Sequence, residues 1–238
     1  MNILYIFPHP DDESFGPAPA IAAQLRQGFK VYLLTLTKGE ATKQRFKLGV
    51  EKNEMGDIRY KEMQCVEKTL GLSGMTVLNL PDGELKNINP IKIEKEIIQH
   101  IHKIKPDVVV TYAVHGVSGF HDHLVTHAVV KRAFCELKEN TEINYPKRLA
   151  LYTRSGEIET SGKFRLEAST DKEIKYTEIC SDGDMVKFQD SLDCYKSYKE
   201  VIEASNVRNV VTNKVPFEIF GEEFKTPLKS LADQLKSH

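Results

Sequence analysis

Two short segments concentrate the residue types that bind metals and move protons. Pro8-His9-Pro10-Asp11-Asp12-Glu13 sets one imidazole beside three carboxylates. Val117-Ser118-Gly119-Phe120-His121-Asp122-His123 adds two imidazoles and a fourth carboxylate. Histidine with carboxylate is a donor set suited to Zn²⁺ or another divalent ion. Adjacent acids repel one another unless a cation neutralises them, and two prolines stiffen the first turn by fixing φ. The bland reading of the first segment is a charged surface turn in which Asp12 or Glu13 caps the next helix. That of the second is a polar helix start capped by Asp122. His123 and His127 also share a helix face, but Leu124 stands where a zincin pattern needs Glu, so His127 reads as packing or support for a ligand. His100, His102 and His115 lack a comparable carboxylate context and read as surface histidines.

The elements around these segments decide whether they can meet. Residues 3–7 form an apolar run expected as a strand buried on both faces. Residues 18–27 read as a helix stopped by Gly28, residues 30–36 as a second strand, and residues 37–56 as a mobile polar loop near the site. Residues 57–70 read as a helix, 76–80 as a strand, 91–104 as an amphipathic helix, 107–112 as a strand, 123–139 as a helix and 148–153 as a fifth strand. This alternation predicts an α/β fold, a Rossmann-like, mostly parallel sheet with helices on both faces. If the first and fourth strands are neighbours, the two acidic and histidine-rich segments face each other across the switch-point crevice at the strands' carboxyl ends. After residue 154 the pattern changes to antiparallel strands over 156–179, a helix over 183–204, a β segment near 215–220 and a small amphipathic tail. A single domain over residues 1–238 is expected, with a core over 1–153 and an antiparallel C-terminal embellishment over 154–238.

The chain has 238 residues, 33 basic against 34 acidic side chains, and a net charge of -1. That balance counts against general nucleic-acid binding, and no apolar run approaches the roughly 20 residues of a membrane span. Cys65, Cys135, Cys180 and Cys194 form no CxxC pair. They read as reduced thiols of a cytoplasmic protein without stable membrane insertion; a homo-oligomer is compatible with this.

On these residues the chain resembles the LmbE-like or PIG-L family of zinc-dependent deacetylases, which act on N-acetylglucosamine-containing molecules. Pro8 to Glu13 match the family's P/A-H-P-D-D-E segment completely. Thr37-Lys38-Gly39-Glu40 is similar to its T-x-G-E, and Arg59-Tyr60-Lys61-Glu62 to its R-x-x-E before a Leu-Gly turn, here Leu70-Gly71. The resemblance implies one Zn²⁺ or other divalent ion per chain on His9, Asp12 and His123. It implies Asp11 as general base, Arg59 as a holder of sugar hydroxyls or a phosphate, and a small-molecule N-acetyl amino sugar conjugate as substrate. The reaction expected is metal-assisted removal of the acetyl group, with acetate and a free amine as products. The chain departs from the family's H-P-D-H segment by carrying Phe120 where the first His belongs. The expectation is that His121 swings into that role with Asp122 holding its tautomer; the alternatives are another group such as His115, or a reduced activity. Tyr195-Lys196-Ser197-Tyr198 departs from the H-x-S-Q of some relatives. Two rivals stand beside this reading. One is a metal-dependent phosphoesterase, to which Lys43, Arg45 and Lys47 would suit a phosphate. The other is a non-catalytic metal-binding member of the same fold.

Overall fold

The computed structural model describes residues 1–156, 159–161 and 164–235. A seven-stranded sheet runs in the order β3-β2-β1-β4-β5-β9-β8. Its strands are β1 (Asn2–Phe7), β2 (Lys30–Thr37), β3 (Gly74–Leu80), β4 (Val108–Tyr112), β5 (Arg148–Tyr152), β8 (Ile174–Ile179) and β9 (Lys214–Ile219). The first five pair in parallel, while β9 joins β5 and β8 joins β9 antiparallel. A small separate pair, β6 (Glu159–Ser161) and β7 (Phe164–Leu166), is antiparallel. Residues 157–158 and 162–163 of the expected antiparallel stretch, and 236–238 of the expected tail, lie outside the described residues.

The period-2 geometry of β1 sets up both layers. Ile3, Tyr5 and Phe7 face one core, with Ala18, Ile21, Met63, Val66, Phe188 and Leu192. These come from α1 (Ala18–Arg26), α3 (Lys52–Leu70) and α6 (Asp182–Asp193). Leu4 and Ile6 face the other core, with Ile93, Ile97, Val129 and Val130, from α4 (Pro90–Ile104) and α5 (His121–Glu139). Helices therefore cover both faces, as the sequence pattern predicts.

Local chemistry sets the helix ends. Asn89 caps α4 by accepting from the Ile91 N–H, with Pro90 in its first turn; both are favoured at a helix start. Ser181 and Asp184 form a capping box on α6. Asp184 also accepts a two-pronged Arg26 guanidinium at 2.8 and 3.1 Å, which ties α6 to α1.

Two expectations need correction. Residues 37–56 are not one loop: they contain α2 (Gln44–Leu48) and the first turn of α3. In that missed first turn only Met55 and Gly56 are buried, too few apolar positions to show a period. The stretch 183–204 is not one helix but α6, a 3₁₀ turn (Lys196–Tyr198) and α7 (Lys199–Ser205), followed by α8 (Val207–Val210). The described part of the tail is made of turns and bends; buried Arg148 holds it by donating to the Leu231 and Asp233 carbonyls at 2.6 and 2.9 Å.

The cysteine expectation also fails in part. Cys65 and Cys194 form a disulfide with Cα atoms 5.6 Å apart, while Cys135 and Cys180 are free. The partners are 129 residues apart, and packing of α3 on α6 brings them together. Local spacing carries no signal of such a pair. Among the described residues, no helix is long and apolar enough to cross a membrane.

Candidate metal centre

Strands β1 and β4 pair directly, with Leu4 opposite Val109. Both carry their reactive segments at the carboxyl end, and the two segments meet. One ligand atom from each of His9, Asp12 and His123 lies within 4.8 Å of the other two. Asp12 Oδ1 is 3.3 Å from His123 Nε2, and Asp12 Oδ2 is 3.5 Å from His9 Nδ1. The His9 N–H donates to Asp12 Oδ2 at 2.8 Å, which folds the turn onto the carboxylate.

Hydrogen bonds on the far ring nitrogens leave the near ones with lone pairs. His123 Nδ1 donates to the Gly116 carbonyl at 2.8 Å; a carbonyl can only accept, so Nε2 carries no proton when the ring is neutral. His9 Nε2 lies 3.2 Å from Asp122 Oδ2 and 3.3 Å from Asp82 Oδ1, so Nε2 keeps its proton when this ring too is neutral, and Nδ1 then carries the lone pair. This is the arrangement in which a ligating imidazole leans on a carboxylate behind it. Tyr112, the last residue of β4, donates from its phenol to Asp12 Oδ1 at 2.7 Å and stacks on the His123 ring at 4.4 Å. Two imidazoles and a carboxylate, buried or half-buried and already oriented, fit a divalent ion.

Charge and burial oppose each other here. Burial alone would raise the Asp12 carboxyl, but His123 and His9 hold it far below the usual carboxylate range. Burial would lower His9, yet Asp12, Asp122 and Asp82 push the ion-free imidazole up to about 10. Burial raises Asp11 to about 6, opposed by Arg59 and reinforced by Asp12. Burial also raises Asp82, against the pull of His9.

Asp11 sits beside the cluster, with Oδ2 3.2 Å from Arg59 Nη2. Arg59 reaches there from α3 and also donates to the Pro10 carbonyl at 2.6 Å. Its guanidinium is only 1% exposed and lies 3.7 Å over the Tyr198 ring, so in this structure it faces Asp11 rather than open solvent. Arg59 makes no salt bridge to Glu62, one helical turn away on α3: Glu62 accepts instead from the Ser197 N–H and hydroxyl.

The Thr37-Lys38-Gly39-Glu40 segment serves the same frame. Thr37 donates to the Pro8 carbonyl at 2.9 Å. A Cβ on Gly39 would lie 2.9 Å from Arg59 Nε and 3.0 Å from Pro10, and φ there is +65°, so only glycine fits without displacing both. Glu40 accepts the Asp82 N–H at 2.9 Å, and Asp82 accepts the Ala41 N–H at 2.8 Å.

The second segment is arranged differently from the expectation. Asp122 does not hold the His121 ring. It accepts from the Gly83 and Leu85 N–H groups at 2.8 and 3.2 Å and faces His9. His121, the first residue of α5, is exposed. One residue of helical advance turns it about 100° from Asp122, so the two do not share a face. Phe120 packs edge-on to the His123 ring at 5.6 Å. His115 is engaged with Ser169 and Thr153, both at 3.2 Å. His127 donates to the Tyr112 carbonyl at 2.8 Å and is buried packing. His102 is exposed and His100 half-buried.

Three participants escaped the sequence reading: Asp82, Tyr112 and Tyr195. Asp82 was visible only as part of a Pro-Asp-Gly turn, although that turn closes β3 at the same sheet edge. Tyr112 had a usable signal, as the last residue of a strand feeding the crevice. Tyr195 had none beyond its departure from the H-x-S-Q pattern.

Known proteins give a consistent picture. The 1D-myo-inositol 2-acetamido-2-deoxy-alpha-D-glucopyranoside deacetylase of Kineococcus radiotolerans is 27% identical over 166 residues, covering 56% of this chain and 44% of that protein. The mycothiol S-conjugate amidase of Streptomyces coelicolor is 28% identical over 167 residues, covering 62% and 55%. The chain thus spans about half the length of these curated relatives. The solved N,N'-diacetylchitobiose deacetylase of Pyrococcus horikoshii superimposes with a TM-score of 0.67 at 17% identity, covering 92% of this chain and 83% of that one; at that identity the likeness establishes the fold. Residues 4–134, more than half of the chain, match the family model described as PIG-L, GlcNAc-PI de-N-acetylase, and the chain belongs to that family.

Proposed function

We propose that the protein is a metal-dependent hydrolase that removes the acetyl group from an N-acetylglucosamine-type amino sugar or its conjugate. The observation that carries this reading is the convergence of His9 Nδ1, Asp12 and His123 Nε2 from two paired strands, with Asp11 at their side. Family membership and the deacetylase and amidase names of the relatives support the choice of an amide substrate.

His9, Asp12 and His123 would hold one ion, Zn²⁺ being favoured by two imidazoles and a carboxylate. When bound, such an ion polarises a carbonyl and acidifies water. Asp11 is the base: burial pushes its carboxyl up to about 6, which leaves it ionised at neutral pH to accept a proton from the attacking water. The proton then passes to the departing amine nitrogen as the C–N bond breaks, giving acetate and a free amine. Arg59 compensates the charge on Asp11 in the buried state. Asp122 and Asp82 orient His9, and Gly116 orients His123. Tyr112 fixes Asp12.

The phosphoesterase reading loses support from its basic stretch. Lys47 pairs with Glu200, and the Arg45 guanidinium lies 3.9 Å over the Phe46 ring. The test is a screen for acetate release from N-acetylglucosaminides with lipid, thiol-precursor and free-sugar aglycones, using protein whose metal content has been measured. Acetate and amine released in equal amounts support the reading, and phosphate release from matched phosphoesters in their place overturns it.

A further inference from the structure

Asp11 has a φ of +87°, a left-handed region that Asp enters more readily than most residues but still at a cost its surroundings must offset. Its carbonyl accepts from the Ser14 and Phe15 N–H groups, both at 2.8 Å, which are ordinary turn bonds. Its N–H does something less local: it donates to the Tyr195 phenol at 2.8 Å, 184 residues away in sequence. That phenol donates in turn to Glu13 Oε1 at 2.6 Å, and the Ser14 hydroxyl donates to the same oxygen at 2.7 Å. Tyr195 and Glu13 are 1% and 0% exposed, so water does not compete for these bonds.

The phenol is itself held in place. Arg59, Glu62 and Cys65 recur every three residues along α3, and each grips the segment that carries Tyr195. Cys65 is bonded to Cys194, Glu62 accepts from Ser197 at 2.6 and 2.8 Å, and the Arg59 guanidinium lies over Tyr198. A phenol can accept one hydrogen bond while donating another, whereas a phenyl ring can do neither.

We infer that Tyr195 is a positioning residue for the base. It keeps Asp11 in its left-handed conformation, with the carboxylate directed at Arg59 and the metal centre, and Glu13 keeps the phenol's lone pair turned toward the Asp11 N–H. This inference rests on the reading of Asp11 as base given above. Without the phenol the Asp11 N–H loses its acceptor, the backbone relaxes, and the carboxylate leaves the alignment that proton transfer requires.

The experiment combines amide hydrogen exchange at Asp11 with steady-state kinetics on metal-loaded protein. In the wild type the Asp11 amide is protected; an unprotected amide overturns the inference at once. Tyr195→Phe changes little volume and should speed exchange at Asp11 about tenfold. It should lower kcat about 10- to 100-fold, as small misplacements of a reacting group do, with KM and bound metal unchanged. Glu13→Gln keeps an oxygen to accept the phenol and should retain the protection. Unchanged exchange in Tyr195→Phe, or exchange in Glu13→Gln as fast as in Tyr195→Phe, overturns the relay. Faster exchange with kcat intact overturns its catalytic role. Wild-type protein that releases no acetate defeats the proposed function instead, and the exchange measurements still decide whether Tyr195 holds Asp11.

Discussion

Asp122 Oδ2 lies 3.2 Å from His9 Nε2 and joins the start of α5 to the turn after β1. The carboxylate fixes which imidazole nitrogen keeps its proton, and so which one is free for a metal. Asp122→Asn should therefore cut metal affinity by about 10- to 100-fold, while His121→Ala, on the exposed side of the same turn, should shift it by less than about twofold. Calorimetric titration of both variants with Zn²⁺ checks this. Equal losses would mean that the two side chains act together after all.

His9 makes metal binding pH-dependent. In the ion-free protein burial pulls its pKa down, but Asp12, Asp122 and Asp82 raise it to about 10, so the ring is protonated at pH 7. Binding through Nδ1 must expel that proton. About one proton per ion should appear when the titration is repeated at pH 7 in buffers of different ionisation enthalpy, and affinity should rise with pH. Binding without proton release would show that His9 is not a ligand.

Asp11 and Asp12 separate by role. Asp11→Asn should keep the metal yet lower turnover by about 10²- to 10⁴-fold, whereas Asp12→Asn should lose the metal. Because burial raises Asp11 to about 6, the wild-type rate should climb as pH rises through that value and the base ionises. Inverted phenotypes for the two variants would exchange their roles.

Part of this arrangement was legible in the sequence, because the position and ends of a strand are set by local pattern. The apolar runs at 3–7 and 107–112 gave two strands with the His- and Asp-rich segments at their carboxyl ends, and the choice of His9, Asp12 and His123 came from the family resemblance; that β1 and β4 pair is seen in the structure. What could not be read was the partner of each polar group. Asp122 lies beside His121 in sequence but turns to His9 in space. Arg59 lies one turn from Glu62 but bonds Asp11, and Cys65 pairs across 129 residues with Cys194. Each of these partners is chosen by tertiary packing. The start of α3 was hidden for a different reason: of the missed residues 52–56 only Met55 and Gly56 are buried, too few apolar positions to show a period.

Glu13 gives a stability signature. Its carboxyl is fully buried, and burial pushes it up to about 7 despite bonds from Tyr195 and Ser14. A group with a raised folded-state pKa contributes stability below its unfolded value of 4.5, and that contribution fades as pH rises through 7. Urea unfolding between pH 5 and 8 should show stability falling by on the order of 2–3 kcal/mol from this group. Glu13→Gln should flatten the slope; an unchanged slope would assign it elsewhere.

The Cys65–Cys194 bond closes a long loop, so its reduction should lower stability by about 2–5 kcal/mol, depending on residual structure in the unfolded chain. A cavity of about 400 Å³ lined by Lys61, Thr69, Asp193 and Lys196 opens beside it and gives a reductant access. Alkylation of the unfolded protein should add two labels before reduction and four after. Four labels without reductant would show that the pair is not bonded.

One divalent ion on His9, Asp12 and His123 should be required for amide hydrolysis. Protein stripped by a chelator should release no acetate from an N-acetylglucosaminide. Stepwise addition of Zn²⁺ should then restore acetate release in proportion to bound metal, reaching its plateau at one ion per chain, with His123→Ala restoring none. Acetate release that survives chelation, or that reaches its plateau only at two ions per chain, would contradict the account.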